Sequence, residues 1–171
     1  ADPDVTVTFT PGTVASQALT LRDTKKVCCF LGLYPNGIES MSMDIPGLVQ
    51  TSCNLGIFKV NGSGLEGSGS VRSSIASRKQ LLLRRIGLLA EGLDGTLCVT
   101  GDYPAWEYRR ESHLRDVMCK VYKDQYGQDM KVEAIHAGLE CGLFCGKIPG
   151  LDAVSFGPNL YDIHTVKEHM S

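Results

Sequence analysis

The feature that most limits the folds open to this chain is Asn61-Gly62-Ser63-Gly64, set between two β-prone runs at 48–60 and 65–75. Asn-Gly supplies the positive φ that a tight turn needs, so the two runs are predicted to pair as an antiparallel hairpin. The same stretch, Gly62-Ser63-Gly64-Leu65-Glu66-Gly67, spells G-x-G-x-x-G. A dinucleotide-binding loop requires a helix opening at its third glycine. Here residues 68–75 continue as a strand, so these letters read as part of the hairpin.

The flanks extend this hairpin into a larger pattern. Residues 5–9 alternate apolar residues with Thr and read as a strand ended by Pro11-Gly12. Apolar positions between 15 and 33 are loosely helical and close at Tyr34-Pro35-Asn36-Gly37. Ser77-Arg78-Lys79-Gln80 has the form of a capping box, and Leu82, Leu83, Ile86, Leu89 and Leu93 follow at helical spacing. Residues 96–100 read as a further short strand. Residues 5–100 are thus predicted as β-α-β-β-α-β, an α+β, ferredoxin-like sandwich with two helices on one face of an antiparallel sheet.

After Gly101-Asp102-Tyr103-Pro104 the pattern changes. Residues 112–126 are predicted helical, with Leu114, Val117, Met118, Val121 and Tyr122 on one face and Gly127 past the end. Residues 131–135, 139–145 and 153–156 read as strand, short helix and strand, an α/β arrangement whose connection suits a parallel pair. So little sheet cannot stand alone. A boundary is placed at 101–105, with residues 102–171 expected to belong to a larger α/β sheet.

Composition narrows the function classes. Seventeen Lys and Arg against nineteen Asp and Glu give a net charge of −2 with neither sign in a block, which argues against a nucleic-acid partner. No apolar run approaches the roughly 20 residues of a membrane span. The first residues lack the basic start and apolar run of a signal peptide, so secretion is not expected. Seven cysteines, an odd number set mostly in apolar segments, read as reduced core thiols of a cytoplasmic protein.

Four positions invite chemistry. His136 and His164 follow predicted strands, where ligands gather in open α/β sheets. Arg72 lies mid-strand between Val71 and Ser73; it is either a solvent-facing residue or a fork for a carboxylate. Asn54 has the same ambiguity, its plain alternative being a bulge or turn residue. The spacing from His136 to Cys141 and Cys145 matches no zinc pattern.

Several stretches taken together say more. Met43-Asp44-Ile45-Pro46-Gly47, Thr51-Ser52-Cys53-Asn54-Leu55-Gly56, Ser70-Val71-Arg72-Ser73-Ser74 and Gly101-Asp102-Tyr103-Pro104 are followed by Ile135-His136-Ala137-Gly138-Leu139-Glu140-Cys141-Gly142 and Gly157-Pro158 to His164. In this order they resemble the C-terminal part of the bacterial aminoacyl-histidine (Xaa-His) dipeptidases, carnosinase-like metallopeptidases. That resemblance implies a cytoplasmic, usually homodimeric hydrolase with two zinc ions, whose α/β catalytic domain is interrupted by a lid. Residues 1–101 would be the latter part of the lid, and 102–171 the returning part of the catalytic domain. His164 matches the family's last metal ligand, and Arg72 the lid arginine that holds the peptide's terminal carboxylate. Asn54, His136, Gly138, Leu139 and Glu140 would lie near the substrate.

The family's His-x-Asp metal segment, its Glu-Glu pair with the general base, its further Asp ligand and its Gly-Gly-His-Ser-Gly stretch have no match here. The resemblance therefore implies a fragment with no catalytic residue of its own, binding no zinc stably and inactive alone. The alternative is a ferredoxin-like self-association module without catalysis.

Overall fold

The computed structural model describes residues 5–15, 17–62, 64–136 and 138–171. The hairpin is present and is the longest ladder among the described residues. Strand β2 (Val49–Asn61) pairs antiparallel with β3 (Gly64–Ser73), and β1 (Gly37–Met41) adds to the other edge of β2, giving the order β1-β2-β3. At the closed end Asn61 pairs with Gly64, whose amide donates to Asn61 Oδ1 at 3.1 Å. Gly64 has a φ of +148°, which an L side chain rarely adopts. The G-x-G-x-x-G letters thus belong to a hairpin.

A bulge at Gly56 interrupts the register between Leu55 and Ile57. One extra residue reverses the in/out alternation. Cys53 is buried on the helix-covered face before the bulge, and beyond it Phe58 stacks on Phe30 with ring centres 5.7 Å apart, while Ile57 is exposed. Opposite Phe58 stands Gly67, where a Cβ would come within 2.5 Å of the Phe30 ring. The absence of a side chain there is what lets the ring lie on the sheet.

Helices α1 (Leu21–Leu33) and α2 (Ala76–Gly92) cover that face. The core they close is small: Cys53, Leu82 and Ile86 are buried, with Tyr34 and Val71 packed against them. Thr20 caps α1, accepting from the Asp23 amide at 3.1 Å. The expected capping box at Ser77 does not form. Ser73 instead ends β3 by accepting from the Ile75 amide and donating to the Ile75 carbonyl, so α2 begins at Ala76 and Ser77 lies inside it.

Of the predicted β-α-β-β-α-β order, the central α-β-β-α is observed, with β1 added before the hairpin. Residues 5–9 and 96–100 are irregular, as are 131–135 and 153–156. Their alternation suits a strand, but a strand exists only where a neighbour completes the ladder, and among the described residues none does. The remaining elements are α3 (His113–Tyr126), α4 (Glu140–Lys147) and a two-stranded ribbon, β4 (Leu160–Tyr161) with β5 (His169–Met170). Helix α3 has its expected caps, Ser112 before it and Gly127 at φ +66° after it.

The thiol expectation needs correction as well. All seven cysteines are free, yet only Cys53 is buried; Cys28, Cys29 and Cys98 are exposed. The accessible surface is 13621 Å². An independently closed monomer of 18.5 kDa would expose about 8,200 Å² by the usual mass scaling. Much apolar surface is left uncovered.

Candidate functional site

The face of the sheet opposite the helices carries Ser52 and Asn54 on β2, with Ser70 and Arg72 beside them on β3. The register fixes this neighbourhood: Ser52 pairs with Arg72 and Asn54 with Ser70, and residues two apart on a strand share a face. Asn54 spends its carboxamide oxygen on the Ser70 amide at 3.3 Å. It is a ladder residue before the bulge at Gly56, so the bulge alternative for Asn54 does not hold.

His136 arrives on this face from a distant part of the chain. Its Nε2 lies 2.7 Å from Ser52 Oγ, a hydrogen bond spanning 84 positions of sequence. Burial, and then the neighbouring Arg72 guanidinium, push the His136 imidazole below its ordinary value, because both disfavour a second proton on the ring. His136 is half-buried and Arg72 exposed. No acid among the described residues forms an ion pair with Arg72. The group therefore presents a cationic fork, a neutral imidazole and a carboxamide on one surface.

Two further contacts place the segment that carries His136. Lys79, near the start of α2, bonds Asp102 Oδ1 at 2.5 Å and the Tyr103 carbonyl at 2.6 Å. Tyr103 in turn lies against Gly138, where a Cβ would meet its hydroxyl at 2.3 Å. A side chain at Gly138 would have to displace the tip of the Tyr103 ring. Leu139 is the N-cap position of α4, and Glu140 lies in its first turn, where a carboxylate suits the positive end of the helix.

His164 stands apart. It occupies the turn between β4 and β5 at φ +68°, exposed, with its backbone amide donating to Glu168 Oε2 at 2.8 Å. Among the described residues no hydrogen bond or ion pair joins this ribbon to the Ser52, Arg72 and His136 group. Cys141 and Cys145 do not converge with His136 either; their thiols point to the Val154 and Leu151 carbonyls at 3.8 and 3.9 Å. No three His, Cys, Asp or Glu side chains gather at one point among the described residues.

Sequence reasoning missed Ser52 and Tyr103. The signal for Ser52 was available: it precedes Asn54 by two on a predicted strand and falls opposite Arg72 once the hairpin is closed at Asn61. Tyr103 had no comparable signal, since its role depends on how Gly138 folds back.

No protein-family model matches the chain. The cytosol non-specific dipeptidase of Escherichia coli (strain K12) is 30% identical over 140 residues, which are 82% of this chain and 29% of that protein. The crystal structure of aminoacylhistidine dipeptidase from Vibrio alginolyticus superposes with a TM-score of 0.79 at 31% identity, over 92% of this chain and 32% of that one. The resemblance to aminoacyl-histidine dipeptidases is borne out. The chain spans about a third of the length of each relative. It shares with the dipeptidase its mixed fold of helices and antiparallel sheet. No helix among the described residues is long and apolar enough to cross a membrane.

Proposed function

We propose that this chain is the substrate-holding part of a cytoplasmic dipeptidase acting on Xaa-His dipeptides, with residues 1–101 contributing the latter part of a lid and 102–171 part of a catalytic domain. The convergence of Arg72, Asn54 and His136 on one sheet face supports this reading most directly. Arg72 offers a bidentate fork to a terminal carboxylate. Beside it, His136 offers a neutral polar contact, and the Gly138, Leu139 and Glu140 turn lies next in the chain.

The two zinc ions implied by the resemblance do not fit this chain alone. No triad of metal-ligating side chains exists among the described residues, so His164 stands as a single candidate donor. Hydrolysis is accordingly assigned to groups that this chain does not supply, and the chain by itself is expected to be inactive.

The test is a dipeptide titration of the purified chain, followed by NMR, with hydrolysis assayed on the same sample. An Xaa-His dipeptide is expected to shift the Arg72 and His136 signals without turnover, and its C-terminal amide to do so far less. Arg72→Ala should weaken binding by about ten- to a hundredfold, the range for losing a hydrogen bond to a charged group. Turnover by the pure chain would overturn the inactivity; binding indifferent to Arg72 would overturn the carboxylate role.

The excess surface favours a second reading, self-association. Strands β1 and β3 are open edges, and Ile38 on β1 is exposed. A molecular mass that doubles with concentration in sedimentation would support a homodimer; a monomer throughout would exclude it.

A further inference from the structure

Among the described residues, 102–171 are tied to the sheet and its two helices by Lys79 on Asp102 and the Tyr103 carbonyl, Arg110 on Asp44, and Ser52 on His136. The two cationic ties differ. Arg110 is 81% exposed, and such a surface pair contributes little. The Lys79 side chain is only 13% exposed, with its ammonium 2.5 Å from Asp102 Oδ1 and 2.6 Å from the Tyr103 carbonyl. Lys79 also stands in the first turn of α2, where the positive end of a helix disfavours a cation and no acidic residue offsets it. The acceptors it needs come from the boundary segment instead. That segment continues onto α4. The Tyr103 ring lies against Gly138; a Cβ at Gly142 would stand 3.2 Å from Trp106 Cβ, and one at Gly146 2.5 Å from Pro104 Cγ. Gly142 and Gly146 are four apart and share one face of α4. Residues 103–106 therefore rest on bare helix backbone, and a proline ring cannot swing aside as a long side chain can. His136 lies two positions before Gly138. Lys79, residues 103–106, α4 and His136 form one chain of contacts that returns to the sheet at Ser52.

We propose that Lys79 is a positioning residue: by clamping Asp102 and Tyr103 to the start of α2 it seats residues 103–106 on α4 and so holds His136 against Ser52, on the face that carries Arg72. Lys79 itself touches no part of that face. The role deepens the dipeptide reading and rests on it for what the face binds. The placement of His136 can be read without ligand.

The experiment is NMR of the isotope-labelled full chain with no metal or peptide added. It reads the through-space contact between the His136 ring protons and the Ser52 β-protons, with the hairpin amides as the control for folding. His136 is assigned by the signals lost in His136→Gln. The contact is expected in the wild type. Lys79→Met removes the cation but keeps a good helix former of similar length. It should lower the ratio of seated to unseated His136 by about tenfold, the equivalent of one hydrogen bond to a charged group, with the hairpin amides unmoved. Lys79→Arg, which keeps the charge and the donors, should retain the contact. Gly146→Ala probes the same chain of contacts from its far end: alanine favours the helix, so α4 amides should stay protected, while its methyl must displace Pro104 and weaken the His136 contact. A contact absent from the wild type, unmoved by Lys79→Met, or lost equally in Lys79→Arg overturns the proposal, and so does a contact unmoved by Gly146→Ala. Should Lys79→Met lose the hairpin amide signals, Asp102→Ala decides, since Asp102 is half exposed and outside the core: a weakened contact supports the role and an unchanged one overturns it. If the contact depends on Lys79 while Xaa-His dipeptides fail to bind, the dipeptide reading falls and the role of Lys79 stands.

Discussion

Among the described residues, the four buried core side chains, Phe30, Cys53, Leu82 and Ile86, all lie in the hairpin and the helices that cover it, whereas α3 buries none of its residues. Both regions have amphipathic helices and alternating segments. They differ in whether the alternating segments find a ladder. Residues 49–73 carry their own turn and pair with themselves, so their apolar face is closed by local contacts. The segments at 96–100, 131–135 and 153–156 have the same alternation without a neighbour, and they leave Leu97, Val99, Val132, Ile135 and Phe156 exposed. Pattern sets which way side chains point, and partners decide whether a strand exists.

If the two regions shared one core, core substitutions would act alike in both. Leu82→Ala is expected to destabilise the hairpin region by about 2–5 kcal/mol, the cost of a large-to-small change at a buried site. Val121→Ala on α3, where Val121 is 47% exposed, should cost a few tenths. Amide exchange resolved by residue checks both, and a comparable loss of protection in α3 would show that the regions share one core.

A smaller effect sharpens the account of the sheet. At Gly69 a Cβ would meet the Asn54 carbonyl and the Tyr34 hydroxyl, each at 2.3 Å. Gly69→Ala should therefore cost about 1–3 kcal/mol, as overpacking does, because a backbone carbonyl in a ladder cannot move aside. The Tyr34 hydroxyl is also held by Cys53 at 3.8 Å, and burial raises its pKa to about 12. Denaturation followed by Tyr34 fluorescence or NMR would register the loss.

These contrasts show how much the sequence disclosed. Asn61-Gly62 announced the hairpin because a turn is a local property, and Ser112 and Gly127 announced both ends of α3 for the same reason. Arg72, Asn54 and His136 were singled out by resemblance; the register sets Arg72 and Asn54 on one sheet face, and the bond to Ser52 brings His136 there. What stayed hidden depends on distant contacts: β1 is a strand because β2 offers it an edge, Ser77 yields its cap to Ser73, and four alternating segments remain irregular for want of partners. His164 was legible as a residue type only, since nothing local reveals what it would share a site with.

The N-terminus of α3 supplies the next test. Ser112 is buried, accepts from the Arg115 amide and donates to Asp152 Oδ1 at 2.7 Å, while Asp152 Oδ2 accepts from the Leu114 amide at 2.9 Å. Ser112→Ala should cost about 1 kcal/mol. The Leu114 amide first, then the Ser112 hydroxyl, hold the Asp152 carboxyl below its usual range. A depressed carboxylate contributes above its unfolded value of about 3.9 and loses that contribution as pH falls through the lower folded value. Protection of the first α3 amides should thus fall in acid, and Asp152→Asn should flatten that dependence.

The smallest expected effect concerns His136, and its sign is opposite to that of a histidine in an ion pair. Burial and then Arg72 lower its folded value, so the unfolded chain takes up a proton that the folded chain resists. Stability is then full above the unfolded imidazole value of about 6.5 and declines as pH falls through the window beneath it. Arg72→Gln should narrow that window without closing it, because burial, the larger cause, remains. An NMR titration of the His136 ring in both proteins measures the two contributions separately. A folded value unmoved by Arg72→Gln would mean that the guanidinium does not act on the imidazole, and the two would then be neighbours on one face without forming one site.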